Sequence, residues 1–261
     1  MHFIKMNGIG NDYVFIDLRE ENFTANENVI RYLCNRHYGI GSDGVVLLDK
    51  SPICTLKMII FNADGSRAEL CGNALRCAAL YEYDRMTKKN SHIKIETDAG
   101  IKNITISKNN MVTVNMGLPD IKDKMPYMDT DLIGYVTNVG NPHFVVLVKE
   151  INELCQKFDQ YACEISENRS AFPNRTNVEF AMVNTNINQC FVRVFERGSR
   201  ETLACGTGAT AVYETAYRLK LLQENAVIKL KGGELIFKHN NKGEVLMTGN
   251  AKYSFSGEIT V

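Results

Sequence analysis

Two stretches of this chain repeat each other, and the repeat restricts the fold to a pair of related halves. Cys71-Gly72-Asn73 and Cys205-Gly206-Thr207 each follow a β-like run ending in phenylalanine, Met58-Ile59-Ile60-Phe61 and Val192-Arg193-Val194-Phe195, and each precedes a helical pattern. The first helix, from about Asn73 to Met86, carries Leu75, Ala78, Ala79 and Tyr83 on one side; the second, from about Thr207 to Leu222, carries Ala211, Val212, Ala216 and Leu219. Upstream, Gly10-Asn11-Asp12-Tyr13-Val14-Phe15-Ile16 matches Gly140-Asn141-Pro142-His143-Phe144-Val145-Val146, and downstream Ile93-Lys94-Ile95-Glu96 matches Ile228-Lys229-Leu230-Lys231. Strand, strand, cysteine loop, helix and further strands thus occur twice in one order. The expected fold class is α/β in two related halves, residues 1–117 with Cys71 and residues 118–250 with Cys205, joined near Gly117-Leu118-Pro119. A last strand at about residues 251–261, with Tyr253 to Val261 as its clearest part, is free to pair back onto the first half. Asp120 to Asp131 is charged and carries Pro126, which reads as a connector.

Acidic and basic residues both number 30, so no net field draws nucleic acid or an anionic membrane surface, and a small molecule is the expected partner. The N-terminus lacks the basic and apolar stretches of a secretion signal, and no run approaches the roughly 18 apolar residues of a membrane span, so a cytoplasmic protein is expected. In that setting the eight cysteines read as reduced thiols, and without Cys-x-x-Cys or His-Glu-x-x-His no metal is expected. Gly39-Ile40-Gly41-Ser42-Asp43-Gly44 has dinucleotide-loop spacing, but helix-like Glu27 to Tyr38 precedes it and strand-like Val45-Val46-Leu47-Leu48 follows. That order is the reverse of a nucleotide loop, so the glycines read as a helix stop and turn.

A cysteine at a helix start has a specific use. The first helical amides lack internal partners and the dipole puts partial positive charge there, which eases thiol ionisation and suits a carboxylate guest. Gly72 and Gly206 keep the approach to those amides open. Two such ends can share one substrate carboxylate, with one sulfur removing the α-proton as thiolate and the other returning a proton to the opposite face. The amides then stabilise the charge that develops on the carboxylate. Cys34, Cys54, Cys77, Cys155, Cys163 and Cys190 are read instead as small buried hydrophobes.

Phe61-Asn62-Ala63-Asp64-Gly65-Ser66 leading to Cys71-Gly72-Asn73, and Glu196-Arg197-Gly198 leading to Glu201-Thr202-Leu203-Ala204-Cys205-Gly206-Thr207-Gly208, resemble the diaminopimelate epimerase family. Gly10-Asn11-Asp12, Gly140-Asn141-Pro142-His143 and Asn177-Val178-Glu179-Phe180 extend the resemblance over almost the whole chain. It implies a cofactor-free epimerase, independent of pyridoxal phosphate, that interconverts LL- and meso-2,6-diaminopimelate in lysine and peptidoglycan precursor synthesis, with Cys71 and Cys205 as acid and base. It also implies two pseudosymmetric halves, each a mixed, mostly antiparallel sheet or barrel curled around a central helix, with the site in the cleft between them, and a homodimer. Asn11, Asn62, Asn141, Asn177, Glu196 and Arg197 would bind the substrate, with Gly72, Asn73, Gly206 and Thr207 at the reacting carboxylate, and His143 and Glu196 would tune the thiols.

Two positions depart from the family pattern, which carries glycine where this chain has Ala74 and Arg200. Arg200 adds a long cation ahead of the second cysteine and leaves the substrate open. A same-mechanism racemase of lanthionine or a basic amino acid is the alternative within the class, and a thiol redox sensor is the alternative outside it.

Overall fold

The computed structural model describes residues 1–260, with all side chains except that of residue 123, so the expected end of the last strand at Val261 lies outside the described residues. The chain forms two compact units, Met1–Val114 with Gly249–Val261, and Asn115–Thr248.

The first unit runs β1 (His2–Gly8), β2 (Asn11–Asp17), α1 (Glu27–Cys34), β3 (Gly44–Asp49), β4 (Leu56–Asn62), β5 (Arg67–Ala68), α2 (Gly72–Arg85), β6 (His92–Thr97), β7 (Gly100–Ile106) and β8 (Val112–Gly117), the last strand crossing into the second unit. The second runs β9 (Asp120–Pro126), β10 (Ile133–Asn138), β11 (Pro142–Val148), α3 (Ile151–Glu167), β12 (Asn177–Asn184), β13 (Gln189–Glu196), β14 (Arg200–Thr202), α4 (Gly206–Arg218), β15 (Ala226–Leu230), β16 (Gly233–His239) and β17 (Val245–Gly249); β18 (Lys252–Glu258) returns to the first unit.

The duplication extends to strand pairing. In the first unit β2 pairs in parallel with β3 and β4 in parallel with β6, while β1–β2, β3–β4, β6–β7 and β7–β8 are antiparallel. In the second, β11–β12 and β13–β15 are parallel, and β10–β11, β12–β13, β15–β16 and β16–β17 antiparallel. β9 lies antiparallel on β10, and the equivalent place beside β1 is taken by β18. The residues expected to form a connector, Asp120 to Asp131, thus begin as a strand. The error has a physical source: β9 pairs on its β10 side, its Lys122 and Lys124 are exposed, and Pro126 closes its end, where a missing amide costs little.

Each unit has a helix that is buried on nearly every side. From Gly72 to Tyr81 every residue of α2 is buried, and the helix packs on β1, β2, β4, β6 and β7. In α4 Gly206 through Ala216 are buried against β10, β11, β12, β15 and β16. A helix enclosed in this way needs small residues, which both supply in their alanines and glycines. The outer faces of the strands make a second core, with Val14, Ile16, Val45 and Leu47 against Ile30 and Leu33 of α1, and Phe144, Val178 and Phe180 against Leu154, Phe158 and Ile165 of α3.

Helix ends deviate from the expected spans for local reasons. Helix α1 starts at Asn26, whose side chain accepts from the Val29 amide (3.0 Å), and stops at Cys34 rather than Tyr38 because the Asn35 side chain takes the His37 and Tyr38 amides in a turn (2.8 and 3.0 Å). Helix α4 stops at Arg218 rather than Leu222, with Lys220 left-handed (φ 60°) and the Leu221 amide returning to the Ala216 carbonyl (2.9 Å). Of the cysteines read as buried hydrophobes, Cys34, Cys77 and Cys190 are buried and Cys54 is half-buried, but Cys155 and Cys163 are exposed. Both lie on α3, which presents only one face to the core, so cysteine's usual burial gives no guide there.

Candidate active site

Cys71 is the N-cap of α2 and Cys205 the N-cap of α4, both in extended conformation (φ −140° and −127°). Around Cys71 the first unit assembles two of the expected site residues, Asn11 and Asn73, and one that was not expected, Tyr13. The Tyr13 hydroxyl donates to Cys71 Sγ (3.1 Å), the thiol faces Asn11 Oδ1 (3.6 Å), and the Asn73 amide donates to the same Asn11 oxygen (3.0 Å). Asn11 follows a turn that Ile9 and Gly10 make in the left-handed region (φ 50° and 87°), with the Gly10 amide on Asn7 Oδ1. The turn is thus made without the Asn11 side chain, which is buried in the site.

Two further residues hold this cluster. Asp43, inside the glycine-rich loop, accepts from Asn11 Nδ2 (2.8 Å), which fixes the amide with its oxygen toward Cys71. Burial raises the Asp43 carboxyl above its ordinary value and neighbouring Asp12 adds to the rise. Burial acts the same way on Asp12, but bonds from Arg36 and Lys5 outweigh it and hold Asp12 low. Arg76, fully buried, donates to Asn73 Oδ1 (2.8 Å) and to the Asn250 carbonyl (3.1 Å), and burial pulls its guanidinium below its ordinary value. Asn62 is not part of the cluster: it is half-buried at the end of β4, with its amide on Ser66 Oγ (3.0 Å).

The second unit assembles more. Cys205 Sγ accepts from the Gly208 amide and meets Thr207 Oγ1, both at 3.4 Å. Asn141 Nδ2 donates to Thr207 Oγ1 (3.3 Å), Asn141 Oδ1 faces His143 Nε2 (2.9 Å), and His143 Nδ1 faces Glu179 Oε1 (2.7 Å). The Thr202 hydroxyl donates to Glu196 Oε1 (2.5 Å), and the Cys205 thiol hydrogen-bonds Glu196 as well. Buried Asn177 accepts from the Arg197 amide (2.9 Å), while the exposed Arg197 guanidinium donates to the Asn174 carbonyl (3.0 Å).

Electrostatics at Cys205 run against the expectation from its helix position. Burial pushes the thiol well above its ordinary value, and Glu196 and Glu179 push it further; Thr207 and the Gly208 amide pull back without prevailing. Desolvation and two carboxylates outweigh a helix N-terminus of about half a charge. Glu196 is itself raised, first by burial, although bonds from Thr202 and Cys205 and the nearness of His143 lower it.

Sequence reasoning passed over Tyr13, Asp43, Arg76 and Glu179. Each left a signal. Tyr13 occupies the place in the repeat that His143 holds in the second half, and Arg76 is a cation between Leu75 and Cys77 in a helix whose neighbours are apolar. Glu179 interrupts a strand of Val178, Phe180 and Ala181. Arg200 stands at φ 62°, in the left-handed region that favours glycine, which explains the glycine of the family pattern there.

Solved structures similar to the chain include a phenazine biosynthesis protein of the PhzF family from Bacillus anthracis (TM-score 0.78, 16% identity, covering 100% of this chain and 99% of that one). A probable proline racemase from Agrobacterium radiobacter K84 with bound carbonate is a second (TM-score 0.76, 13% identity, 100% and 93% covered). At these identities the likeness shows the fold, one shared with a racemase. The sequence comparisons narrow the class to an isomerase. A curated diaminopimelate epimerase of Brachyspira hyodysenteriae is 39% identical with 100% of this chain and 99% of that protein covered, and one of Methanococcus maripaludis is 38% identical with both chains fully covered. The sequence profile described as diaminopimelate epimerase matches residues 3–122 and 135–254, two segments of equal length that follow the internal repeat. The chain belongs to the diaminopimelate epimerase family.

Proposed function

We propose that the protein interconverts LL- and meso-2,6-diaminopimelate by moving one α-proton between two thiols, Cys71 and Cys205, without a cofactor. The observation that carries the reading is the duplicated placement of a cysteine at the N-cap of a buried helix, in a chain of this family. Thiols acting on opposite faces of one carbon invert it, and a thiolate on one side with a thiol on the other is the required starting state. The raised Cys205 thiol suits the acid at neutral pH.

In this reading the first-turn amides at Gly72, Asn73, Gly206 and Thr207 receive the reacting carboxylate and stabilise the charge that grows on it. Asn11, Asn62, Asn141, Asn177, Glu196 and Arg197 bind the substrate, chiefly the amino-acid end that does not react, with Asn11 beside Cys71 and Asn141 joined to Cys205 through Thr207, and His143 and Glu196 adjust the thiols. Arg197 offers a carboxylate a two-pronged donor, and Glu196 offers an ammonium an acceptor. In this reading the protein works as a homodimer, as the resemblance implies, and in the cytoplasm, as expected of an N-terminal sequence without a secretion-signal pattern. Among the described residues no helix is long and apolar enough to cross a membrane.

The test is incubation with LL-diaminopimelate in D2O under reducing conditions without pyridoxal phosphate. Deuterium should enter the α-position as the meso isomer forms, and Cys71→Ser and Cys205→Ser should each lower turnover by orders of magnitude. No exchange by the reduced protein, or ordinary turnover in either variant, would overturn the reading. A panel with lanthionine and basic amino acids decides the substrate.

A further inference from the structure

A carboxyl group that the proposed chemistry does not use lies at the end of a chain of hydrogen bonds leading to Cys205. Glu179 is fully buried on β12, between Val178 and Phe180, whose side chains face the α3 core; its own faces the opposite way, toward α4. Its Oε1 bonds His143 Nδ1 at 2.7 Å, and its Oε2 has no hydrogen-bond partner among the described residues. It also crowds the helix start: a Cβ at Gly208, whose amide donates to Cys205 Sγ, would stand 2.6 Å from Glu179 Oε1.

The bonds in this chain have directions that can be deduced one from the next. His143 Nε2 faces Asn141 Oδ1, an acceptor without hydrogens, so Nε2 carries a hydrogen. Asn141 therefore presents its NH2 to Thr207 Oγ1, which accepts, and the Thr207 hydroxyl is left to donate to Cys205 Sγ. The arrangement stands only while Nδ1 is satisfied with Nε2 still protonated. Glu179 does this while it and the imidazole hold two protons between them: protonated, it donates to a bare Nδ1; ionised, it accepts from Nδ1–H of an imidazolium, whereas an ionised Glu179 beside a neutral imidazole would keep the hydrogen on Nδ1 and leave Nε2 bare. Nε2–H is present in both two-proton forms.

We propose that Glu179 is a positioning residue for Cys205: by keeping a hydrogen on His143 Nε2 it turns the Thr207 hydroxyl onto the sulfur and stabilises the thiolate that Cys205 must form when it acts as base. This rests on the reading of Cys205 as one of the two acid/base groups. The titratable groups around the sulfur are Glu196 of β13, Glu179 of β12 and, through Asn141 and Thr207, His143 of β11. Glu196 and Glu179 both oppose the thiolate by charge, so the hydroxyl and the Gly208 amide are what offset them.

The first measurement uses the wild-type protein: imidazole 15N resonances of His143 should report a protonated Nε2 across pH 6 to 8, and a bare Nε2 would overturn the proposal. The second compares Glu179→Leu, which leaves Nδ1 without a partner, with Glu179→Gln, whose amide can still donate to it. The Leu variant should lose roughly 10–100-fold in kcat with KM little changed, as for a hydrogen bond to a charged group, and Gln should recover most of it. Alkylation of Cys205 by iodoacetamide at pH 8, followed on its own peptide, should slow roughly tenfold in the Leu variant. An unchanged alkylation rate in a folded Leu variant would refute the role of Glu179, and it would do so whatever the substrate. Failure of the epimerase reading would show instead as no exchange by the wild type. Should Glu179→Leu not fold, the wild-type nitrogen resonances decide alone.

Discussion

Gly208→Ala puts two rules into opposition at a single atom. On helix propensity alone, alanine at the third position of α4 should stabilise by about 1 kcal/mol. The added methyl, however, would stand 2.6 Å from Glu179 Oε1, 3.2 Å from its Cδ and 3.3 Å from its Cγ, well inside contact distance. The obstructing group cannot swing into solvent, because Glu179 is fully buried and its Oε1 is held by His143. Overpacking of this kind costs about 1–3 kcal/mol, so the net change should be a loss of roughly 0–2 kcal/mol, or a Tm lowered by up to about 8 °C. Turnover should fall by roughly tenfold, since the carboxyl is pushed off His143 and the bonds leading to Cys205 are disturbed. A double-mutant cycle read by thermal melting isolates the contact: with Glu179→Ala in place the methyl has room, and Gly208→Ala should then stabilise by the helical increment of about 1 kcal/mol. A single Gly208→Ala variant that melts higher than wild type with unaltered kcat would refute the reasoning.

Arg200→Gly removes a left-handed non-glycine residue worth about 1 kcal/mol of backbone strain but loosens the unfolded chain by a comparable amount. Stability should move by less than about 1 kcal/mol and kcat/KM for diaminopimelate should stay within a few-fold; loss of the substrate would show that the arginine takes part in recognition. His239 contacts Glu214 (2.7 Å) and Glu224 (2.9 Å). Burial lowers its basicity, yet the bonds to the two carboxylates outweigh this and the net direction is upward from 6.5. A base raised on folding stabilises most below its unfolded value and loses that contribution as pH rises through the folded one. The melting-temperature gap between wild type and His239→Gln should therefore be widest below pH 6.5 and narrow above it, and a gap that widens with pH would contradict the sign.

The place of both cysteines at helix starts, both central helices and the order of the strands were legible in the sequence because each rests on a local pattern repeated at equivalent places. The strand at Asp120–Pro126 was not, since lysines and a proline on an edge strand look like loop residues until the partner strand is known. Arg76 and Glu179 were hidden for a related reason. Their apolar neighbours hint at enclosure, but the burial itself depends on what folds over them from distant parts of the chain. Arg200 was legible as an anomaly, and its φ angle then gave the anomaly a backbone cause.

The structure also separates two thiol environments that look interchangeable in the sequence. At equivalent places after the first strand turn the halves carry Tyr13 and His143, two residues beyond Asn11 and Asn141. Tyr13 reaches Cys71 directly and gives the sulfur a neutral donor, whereas His143 stands back from Cys205 and acts through Asn141 and Thr207. The carboxylates follow the same division: Cys205 has Glu196 and Glu179 close by, and in the first half the place equivalent to Glu196 is Asn62. An epimerase whose two faces were chemically identical would hold no preference for where the proton rests. In the proposed reaction, placing the carboxylates in one half suits Cys205 to the acid role, and the donors assembled around that sulfur are what would stabilise it when the reaction runs the other way.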